Sequence, residues 1–380
     1  MRMLLDRFRD GAGCVGVEFT DRIVRLLQVR SWREQLDVTG VSIQQIPRST
    51  EQGSELDVLS ARLRSAVVAG GFVGRRCAVS LPRSDVQLYV TRLPDMPDEE
   101  LAEAVRWEAA DRLGLDRQSV EADCIRTGAV AEGGRNEVLI VATPTEVIER
   151  RLDAVMSAGL RPMAVDTHFG AVARLFSRHH RREADQSSIR AVIEVGDTST
   201  TLMVLHGDRI ALCRNLDIGG YHMDARVSEH LGLELDAAAD LRSVRLQSGM
   251  KTGLSGIDPS TDRAVHESLR PLLEELARDV LMCLRYYGVT FKGQRPSRLM
   301  LTGAEACEPG LAAAIAQRCS MNVDMDDEQG TLQRLDSSLT GNRAVNCGPA
   351  SAWSVASGLS LRSLAARRSR RTPSKLERAA

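Results

Sequence analysis

The sequence lacks the signatures of a metal-binding module. Its eight cysteines are scattered, with no Cys-x-x-Cys pair and no Cys/His cluster at zinc spacing. The seven histidines also show no metal-ligand spacing. We therefore interpret the cysteines as small core hydrophobes in a reducing compartment.

Long apolar runs are also missing. The longest, such as 138–142, have the length of a strand, whereas a membrane-spanning helix needs about 20 apolar residues. Residues 1–10 interleave charges with apolar side chains and contain no signal-peptide core. These absences predict a cytosolic protein without a spanning helix.

A charge excess is absent too, because acidic and basic residues cancel to a net charge of -1. This argues against a nucleic-acid-binding protein, which would carry a basic domain. No Gly-x-Ser-x-Gly nucleophile elbow occurs.

What the chain does have is 380 residues with 43% hydrophobic content, enough for a sizeable core and more than one domain.

The stretch 193–204 is the most informative segment. It predicts an apolar strand, a sharp turn at residues 196–199 and a second strand. Gly196 lets a ligand approach the main chain, and Thr198 and Ser199 offer hydroxyl donors beside the backbone N–H groups, an arrangement that can cradle a phosphate. The alternative is an ordinary hairpin turn, in which Asp197 bonds its own backbone.

The order of elements gives this turn a context. Apolar runs at 14–19, 23–29 and 36–43 predict an antiparallel meander, followed by a helix and a strand at 77–81. Residues 83–161 predict a strand–helix–strand–strand–helix block, which we interpret as a small inserted α+β domain. After it, the chain returns to strands and helices, and residues 248–262, rich in Gly, Ser and Thr, predict a loop.

Several ordered stretches together resemble the type IV pilus assembly protein PilM family, which is related to the cell-division protein FtsA. Residues 100–109 are similar to that family's ELxxAIxxEA helix, and residues 138–142 and 158–160 resemble the end of its insert. Residues 217–220 and 299–303 resemble its two glycine-bearing turns. The similarity covers roughly residues 14 to 362.

The resemblance implies an α/β, actin-like (Hsp70/FtsA-type) two-half ATPase fold with an inserted small α+β domain of the SHS2 type. It implies a first part of the body at 1–82, the insert at 83–161, the rest of the body at 162–362 and a basic, disordered tail at 363–380. It also implies a cytoplasmic scaffold, peripheral to the inner membrane, that recruits the cytosolic tail of a PilN-like membrane protein. Pilus ATPases and self-association stay open as further partners.

The resemblance places ATP and Mg²⁺ at two phosphate hairpins, the first of which departs from the family pattern D-I-G-S-S-S-V-K. Glu18 stands at the magnesium-side aspartate, Thr20 at the glycine and Asp21 at a serine. Asp21 would repel phosphate by roughly 4 kcal/mol at about 4 Å and a surface-like dielectric. Arg22 or Arg25 can offset part of this repulsion. We prefer to interpret Asp21 as a plain turn residue that bonds its own backbone.

The second hairpin matches the family pattern more closely than the first. For this hairpin the resemblance implies a metal ligand at Glu194 and phosphate contacts at 196–199. The adenosine turn implies Gly303, with Ala304 in place of a second glycine, and Arg242 in place of a lysine near the adenine. We therefore expect weak ATP binding, doubtful hydrolysis and no assigned catalytic residue.

Three alternatives stay open: an active ATPase or kinase, a GspL-like component of type II secretion, and an FtsA-like division protein. Asp166 is the aspartate nearest a candidate connection segment for a kinase base. In the resemblance, the partner peptide lies between the insert and the body, so the helix at 99–113 or the strands beside it are the candidate docking surface. Trp107 on this helix is predicted to belong to the core or to that interface.

Overall fold

A computed structural model describes residues 12–32, 35–46, 55–130, 134–180, 187–249, 257–292, 294–341 and 348–369. The strands are β1 (Val15–Phe19), β2 (Ile23–Trp32), β3 (Gln35–Gln45), β4 (Arg76–Ser80), β5 (Gln87–Leu93), β6 (Val120–Val130), β7 (Asn136–Pro144), β8 (Arg161–Asp166), β9 (Ile189–Val195), β10 (Thr200–His206), β11 (Arg209–Leu216), β12 (Arg298–Thr302) and β13 (Val323–Asp324).

The α-helices follow the same chain order. They are α1 (Glu55–Ala69), α2 (Asp98–Leu113), α3 (Thr145–Ser157), α4 (His168–Phe176), α5 (Gly220–Leu231), α6 (Leu235–Gly249), α7 (Pro259–Thr290), α8 (Leu311–Cys319), α9 (Thr331–Gly341) and α10 (Ser354–Ser369). Short 3₁₀ turns include Arg83–Asp85, which follows β4 and precedes β5.

The described residues form two compact units. The first contains those within Met1–Pro82, Val147–Phe176 and Gly330–Ala380, and the second those within Arg83–Glu146 and Ser177–Gln329. In the first unit, one sheet has the order β3-β2-β1-β4-β8. Its first three strands form the predicted antiparallel meander, β4 pairs in parallel with β1, and β8 pairs in parallel with β4.

The second unit repeats this plan. Its large sheet has the order β11-β10-β9-β12-β13, with three antiparallel strands followed by two parallel ones. Strand β9 is almost wholly buried, because its apolar run faces helices that include α5, α7 and α8. The turns that follow β9 and β12 therefore begin directly at a packed core.

The three strands β5, β7 and β6 form a separate antiparallel sheet covered by α2. From residue 147 onward, however, α3 belongs to the first unit, where Ala154 and Val155 pack in the core beneath β1. Strand β8 likewise joins the sheet of the first unit. An inserted domain with limits at 83 and 161 stays a prediction, but its own sheet ends with β7.

Three helices depart from the sequence-based expectations. Helix α7 begins at Pro259, inside a stretch predicted as a loop to residue 262, because the Asp258 carboxylate accepts from the N–H groups of Ser260 and Thr261 and caps the helix. Helix α9 was not predicted. Helix α10 continues to Ser369, past the expected boundary at 362, and residues 370–380 of the basic tail lie outside the described residues.

The described cysteines are buried or half-buried and form no disulfide. Burial raises the pKa of Cys77 and Cys213 to about 12, so both thiols stay protonated at neutral pH. Cys347 lies outside the described residues. Within the described part of the chain, no helix is long and apolar enough to cross a membrane.

Helix α10 packs unusually close to its neighbours in the first unit. A Cβ at Gly358 would lie 1.9 Å from the carbonyl oxygen of Ala171 in α4, and a Cβ at Gly16 in β1 would lie 2.1 Å from the carbonyl oxygen of Ala356. The Ser360 hydroxyl fills the seam by donating to the Cys14 carbonyl at 2.6 Å. Backbone therefore packs directly against backbone along this helix.

This close packing predicts opposite effects for two helical glycines. Gly358→Ala should destabilise the protein by about 1–3 kcal/mol, because the added methyl overlaps a backbone carbonyl that cannot move aside. Gly288→Ala in α7 should stabilise it by up to about 1 kcal/mol, since the nearest atom to its Cβ is 3.8 Å away and alanine favours helix. Urea denaturation of both variants tests this, and equal effects would contradict the packing described.

Candidate functional site

The second hairpin joins β9 to β10 through residues 196–199, as the sequence predicts. The Gly196 N–H donates to the Ser199 carbonyl at 3.0 Å and closes the turn. Gly196 is buried, whereas Asp197, Thr198 and Ser199 are half-buried. The turn thus presents its polar residues at the partly exposed end of a buried strand.

The N-terminus of α5 holds this turn in place. The N–H of Gly220 donates to the Gly196 carbonyl at 3.0 Å, and the N–H of Tyr221 donates to the Asp197 carbonyl at 2.7 Å. A Cβ at Gly219 would lie 2.6 Å from a backbone nitrogen of the turn. Two of the donors that a helix N-terminus leaves open are therefore used inside the protein.

The predicted adenosine turn packs against the same strand. Gly303 has φ +106, and a Cβ there would lie 2.2 Å from the Val195 carbonyl oxygen. The N–H of Glu305 donates to that carbonyl at 3.3 Å. Gly303 is required by this close approach, and Ala304 beside it is half-buried.

An arginine that the sequence analysis did not identify lies on the second hairpin. The guanidinium of Arg83 forms a salt bridge with the Glu194 carboxylate and donates to the Ser199 carbonyl at 3.1 Å and to the Thr201 hydroxyl at 2.7 Å. The Arg83 and Glu194 side chains are only 9% and 4% exposed. The carboxylate predicted to bind Mg²⁺ is thus held by an arginine within the second unit.

The first hairpin uses its own hydroxyl group in the turn. The Thr20 side-chain oxygen accepts from the N–H groups of Arg22 at 3.3 Å and Ile23 at 3.0 Å. Those N–H groups are the donors that a phosphate would need. Asp21, which the sequence analysis treats as a turn residue, is exposed at the tip.

The acid of the first hairpin is also held internally. Glu18 and Arg25 face each other on β1 and β2, with Arg25 Nη1 at 3.1 Å from Glu18 Oε1. Both side chains are buried. Arg25 therefore neutralises Glu18, although it was, with Arg22, one of two candidates to offset Asp21.

Arg242, the residue expected near the adenine, lies in a buried network of charges. Its guanidinium is 2.6 Å from Asp224 Oδ1, 2.7 Å from Glu305 Oε2 and 2.8 Å from Glu308 Oε2. Arg245 forms a second salt bridge with Glu308. The network joins α5, α6 and the turn after β12.

This network fixes the charge of Arg242. Burial alone would lower the pKa of Arg242, but the charges of Glu305, Glu308 and Asp224 raise it above its ordinary value. The guanidinium also donates to the Gly220 carbonyl at 3.1 Å. Its role is to hold the start of α5, and through α5 the second hairpin.

These contacts do not fit the predicted magnesium ligands. A divalent cation needs carboxylates whose charge is available to it, whereas Glu18 and Glu194 each face an arginine. Among the described residues, no group of three or more His, Cys, Asp or Glu is placed to hold a metal ion. Pairing between residues so distant in sequence leaves no local pattern that could have revealed Arg83.

Trp107 lies on the surface of α2 rather than in a core. Its side chain is 56% exposed, and the Arg117 guanidinium lies 3.9 Å from the centroid of its ring. Val105 and Ala109 on the same helix are buried. Of the two predicted roles, the core is thus wrong for Trp107, and the interface stays a prediction.

The repeated sheet plan, with three antiparallel strands and then two parallel ones, defines an actin-like α/β fold. The model of the family "Type IV pilus assembly protein PilM" matches residues 16–364. The chain therefore belongs to the type IV pilus assembly protein PilM family, and the family inferred from the sequence is confirmed.

Two solved structures illustrate the fold. A chain of the PilM-PilN type IV pilus biogenesis complex is 22% identical, with a TM-score of 0.71 over 93% of this chain and 98% of that one. The ethanolamine utilization protein EutJ from Carboxydothermus hydrogenoformans is 13% identical, with a TM-score of 0.52 over 92% and 89%. These likenesses describe the fold.

The Arg242 network predicts a large loss of stability when its central cation is removed. Arg242→Ala should cost about 3–5 kcal/mol, because it leaves buried carboxylates without their cation. The matched control is Arg270→Ala, which breaks an exposed pair with Glu274 and should leave the stability nearly unchanged. Chemical denaturation measures both, and a loss at Arg242 as small as the control would contradict the structural role.

Proposed function

We propose that this chain is a scaffold of type IV pilus assembly whose actin-like fold serves as a docking body and not as a rapid ATPase. The observation that supports this best is the internal pairing of Glu18 with Arg25 and of Glu194 with Arg83. Carboxylates already neutralised by arginines are poor ligands for the metal ion that phosphoryl transfer uses.

The proposed partner is the cytosolic tail of a PilN-like inner-membrane protein. A relative of similar fold was solved as a PilM-PilN complex. On this chain, the exposed Trp107 and the Arg117 beside it offer an aromatic anchor of the type that carries binding energy at interfaces. Through this partner, the protein would be cytoplasmic and peripheral to the inner membrane.

A membrane-anchored partner makes modest affinity sufficient. Tethering raises the effective concentration of the tail, and an extended peptide can add main-chain hydrogen bonds to side-chain contacts. The edges of the sheet β5-β7-β6 and the face of α2 are the surfaces that we assign to this contact.

We further propose weak adenine-nucleotide binding that depends mainly on the second hairpin, with negligible turnover. The turn 196–199 keeps half-buried polar residues, and Gly303 keeps a close approach to β9. The first hairpin contributes little, because the Thr20 hydroxyl already accepts from its backbone donors.

If the partner proposal is right, membrane association depends on the cytosolic tail of the PilN-like protein and on Trp107. The wild-type chain should fractionate with the inner membrane in cells that contain the PilN-like protein, and Trp107→Ala should reduce the membrane fraction several-fold by removing the anchor. Met282→Ala is the control, since Met282 is also 56% exposed but lies on α7. Membrane association that persists after deletion of the cytosolic tail of the PilN-like protein would refute the proposal.

The nucleotide proposal predicts a gain when the first hairpin is opened. Replacing Thr20 by Gly and Asp21 by Ser frees two backbone N–H groups and removes a repelling charge, so ATP affinity should rise about tenfold, or about 1.4 kcal/mol. Asp37→Ser, which removes an exposed charge from β3, should leave it unchanged. Calorimetry measures the affinity, and rapid phosphate release by the wild-type chain would favour the ATPase alternative.

A further inference from the structure

The Arg83 guanidinium is surrounded by oxygen atoms. It contacts a carboxylate oxygen of Glu194, the carbonyl oxygen of Ser199 and the hydroxyl oxygen of Thr201. A carboxylate, a backbone carbonyl and a hydroxyl are the donor types that hard divalent cations take. The contacts of this arginine are therefore the contacts that a bound cation would make.

The position of Arg83 is fixed from both sides. Its Cζ lies 3.0 Å from the Cβ position of Gly196, so the hairpin glycine makes room for the guanidinium. The Thr201 hydroxyl in turn donates to the Asn215 side-chain oxygen at 3.0 Å on β11. Removing one member of such a hydrogen-bonded buried network lowers the stability of the protein, because its partners lose their hydrogen bonds.

We propose that Arg83 is a built-in replacement for the metal ion of the second hairpin. Its fixed positive charge neutralises Glu194 and holds the turn 196–199 closed without Mg²⁺. Arg83 also begins the segment that leads into β5, so the same ion pair ties the start of the three-stranded sheet to the hairpin.

The proposal differs from an ordinary structural ion pair in its consequence for metal binding. Once Arg83 is removed, its oxygen contacts become available to Mg²⁺, alone or with the phosphates of ATP. If the pair is structural only, removal lowers stability and creates no response to the ion. The inference goes beyond the scaffold role, and its test does not involve the partner.

The test measures melting temperature with Mg²⁺ and ATP, against ATP with EDTA, at constant ionic strength. The wild-type chain should show the same melting temperature in both. Arg83→Ala should melt lower without Mg²⁺ and regain several degrees with it, because a ligand that binds only the folded state stabilises it. Arg83→Ala combined with Glu194→Gln should lose the response to Mg²⁺, since the carboxylate is gone.

Two further variants keep the test decisive. Arg126→Ala is the control. Arg126 also lies within Arg83–Glu146 but pairs with the exposed Asp98, so its removal should create no Mg²⁺ response. Arg83→Gln keeps a polar side chain and should gain the response if Arg83→Ala does not fold. A folded Arg83→Gln or Arg83→Ala without a Mg²⁺ response would overturn the proposal, and so would a wild-type chain that responds as strongly as the variants.

Discussion

The cost of burying a carboxylate governs this structure, because an isolated buried charge is unfavourable unless it is paired and hydrogen-bonded. Glu18, Glu194 and Glu308 are nearly inaccessible, and each is paired with an arginine of its own unit. Of the 50 basic residues, 3 are lysines and the rest are arginines. The planar guanidinium serves this purpose well, since its fork of donors can contact several oxygen atoms at once.

These ion pairs connect the fold to the proposed function. The repeated sheet plan brings the ends of β9 and β12 together at a turn, where an actin-like ATPase is expected to meet its nucleotide. In this chain, Arg83 forms a salt bridge with Glu194 beside that turn. The network around Arg242 holds the start of α5, the helix that supports the turn. The geometry is that of an actin-like fold whose buried carboxylates are neutralised by arginines of the same chain, which suits the proposed role of holding partners.

The local parts of the structure could be predicted from sequence. The hairpin at 193–204 and the meander at 14–43 follow from short-range apolar patterns and turn residues. The Arg83–Glu194 pair could not be predicted, since its members are distant in the chain and an arginine after a proline carries no signal. Helix α9 was missed although Leu332, Leu335 and Leu339 mark its buried face, because flanking polar residues obscure the period. The roles of Thr20 and Arg242 depend on hydrogen bonds that only the folded chain reveals.

We infer that docking does not depend on the nucleotide, because the buried acids beside both hairpins, Glu18 and Glu194, are already neutralised by arginines of the chain itself. The most direct experiment titrates the full chain with the tail peptide of the proposed PilN-like partner, in the presence and in the absence of saturating ATP and Mg²⁺. Coupling between two sites appears as a ratio of the two dissociation constants, and tenfold corresponds to about 1.4 kcal/mol. We predict the same dissociation constant under both conditions, and a tightening of tenfold or more with ATP and Mg²⁺ would contradict the account.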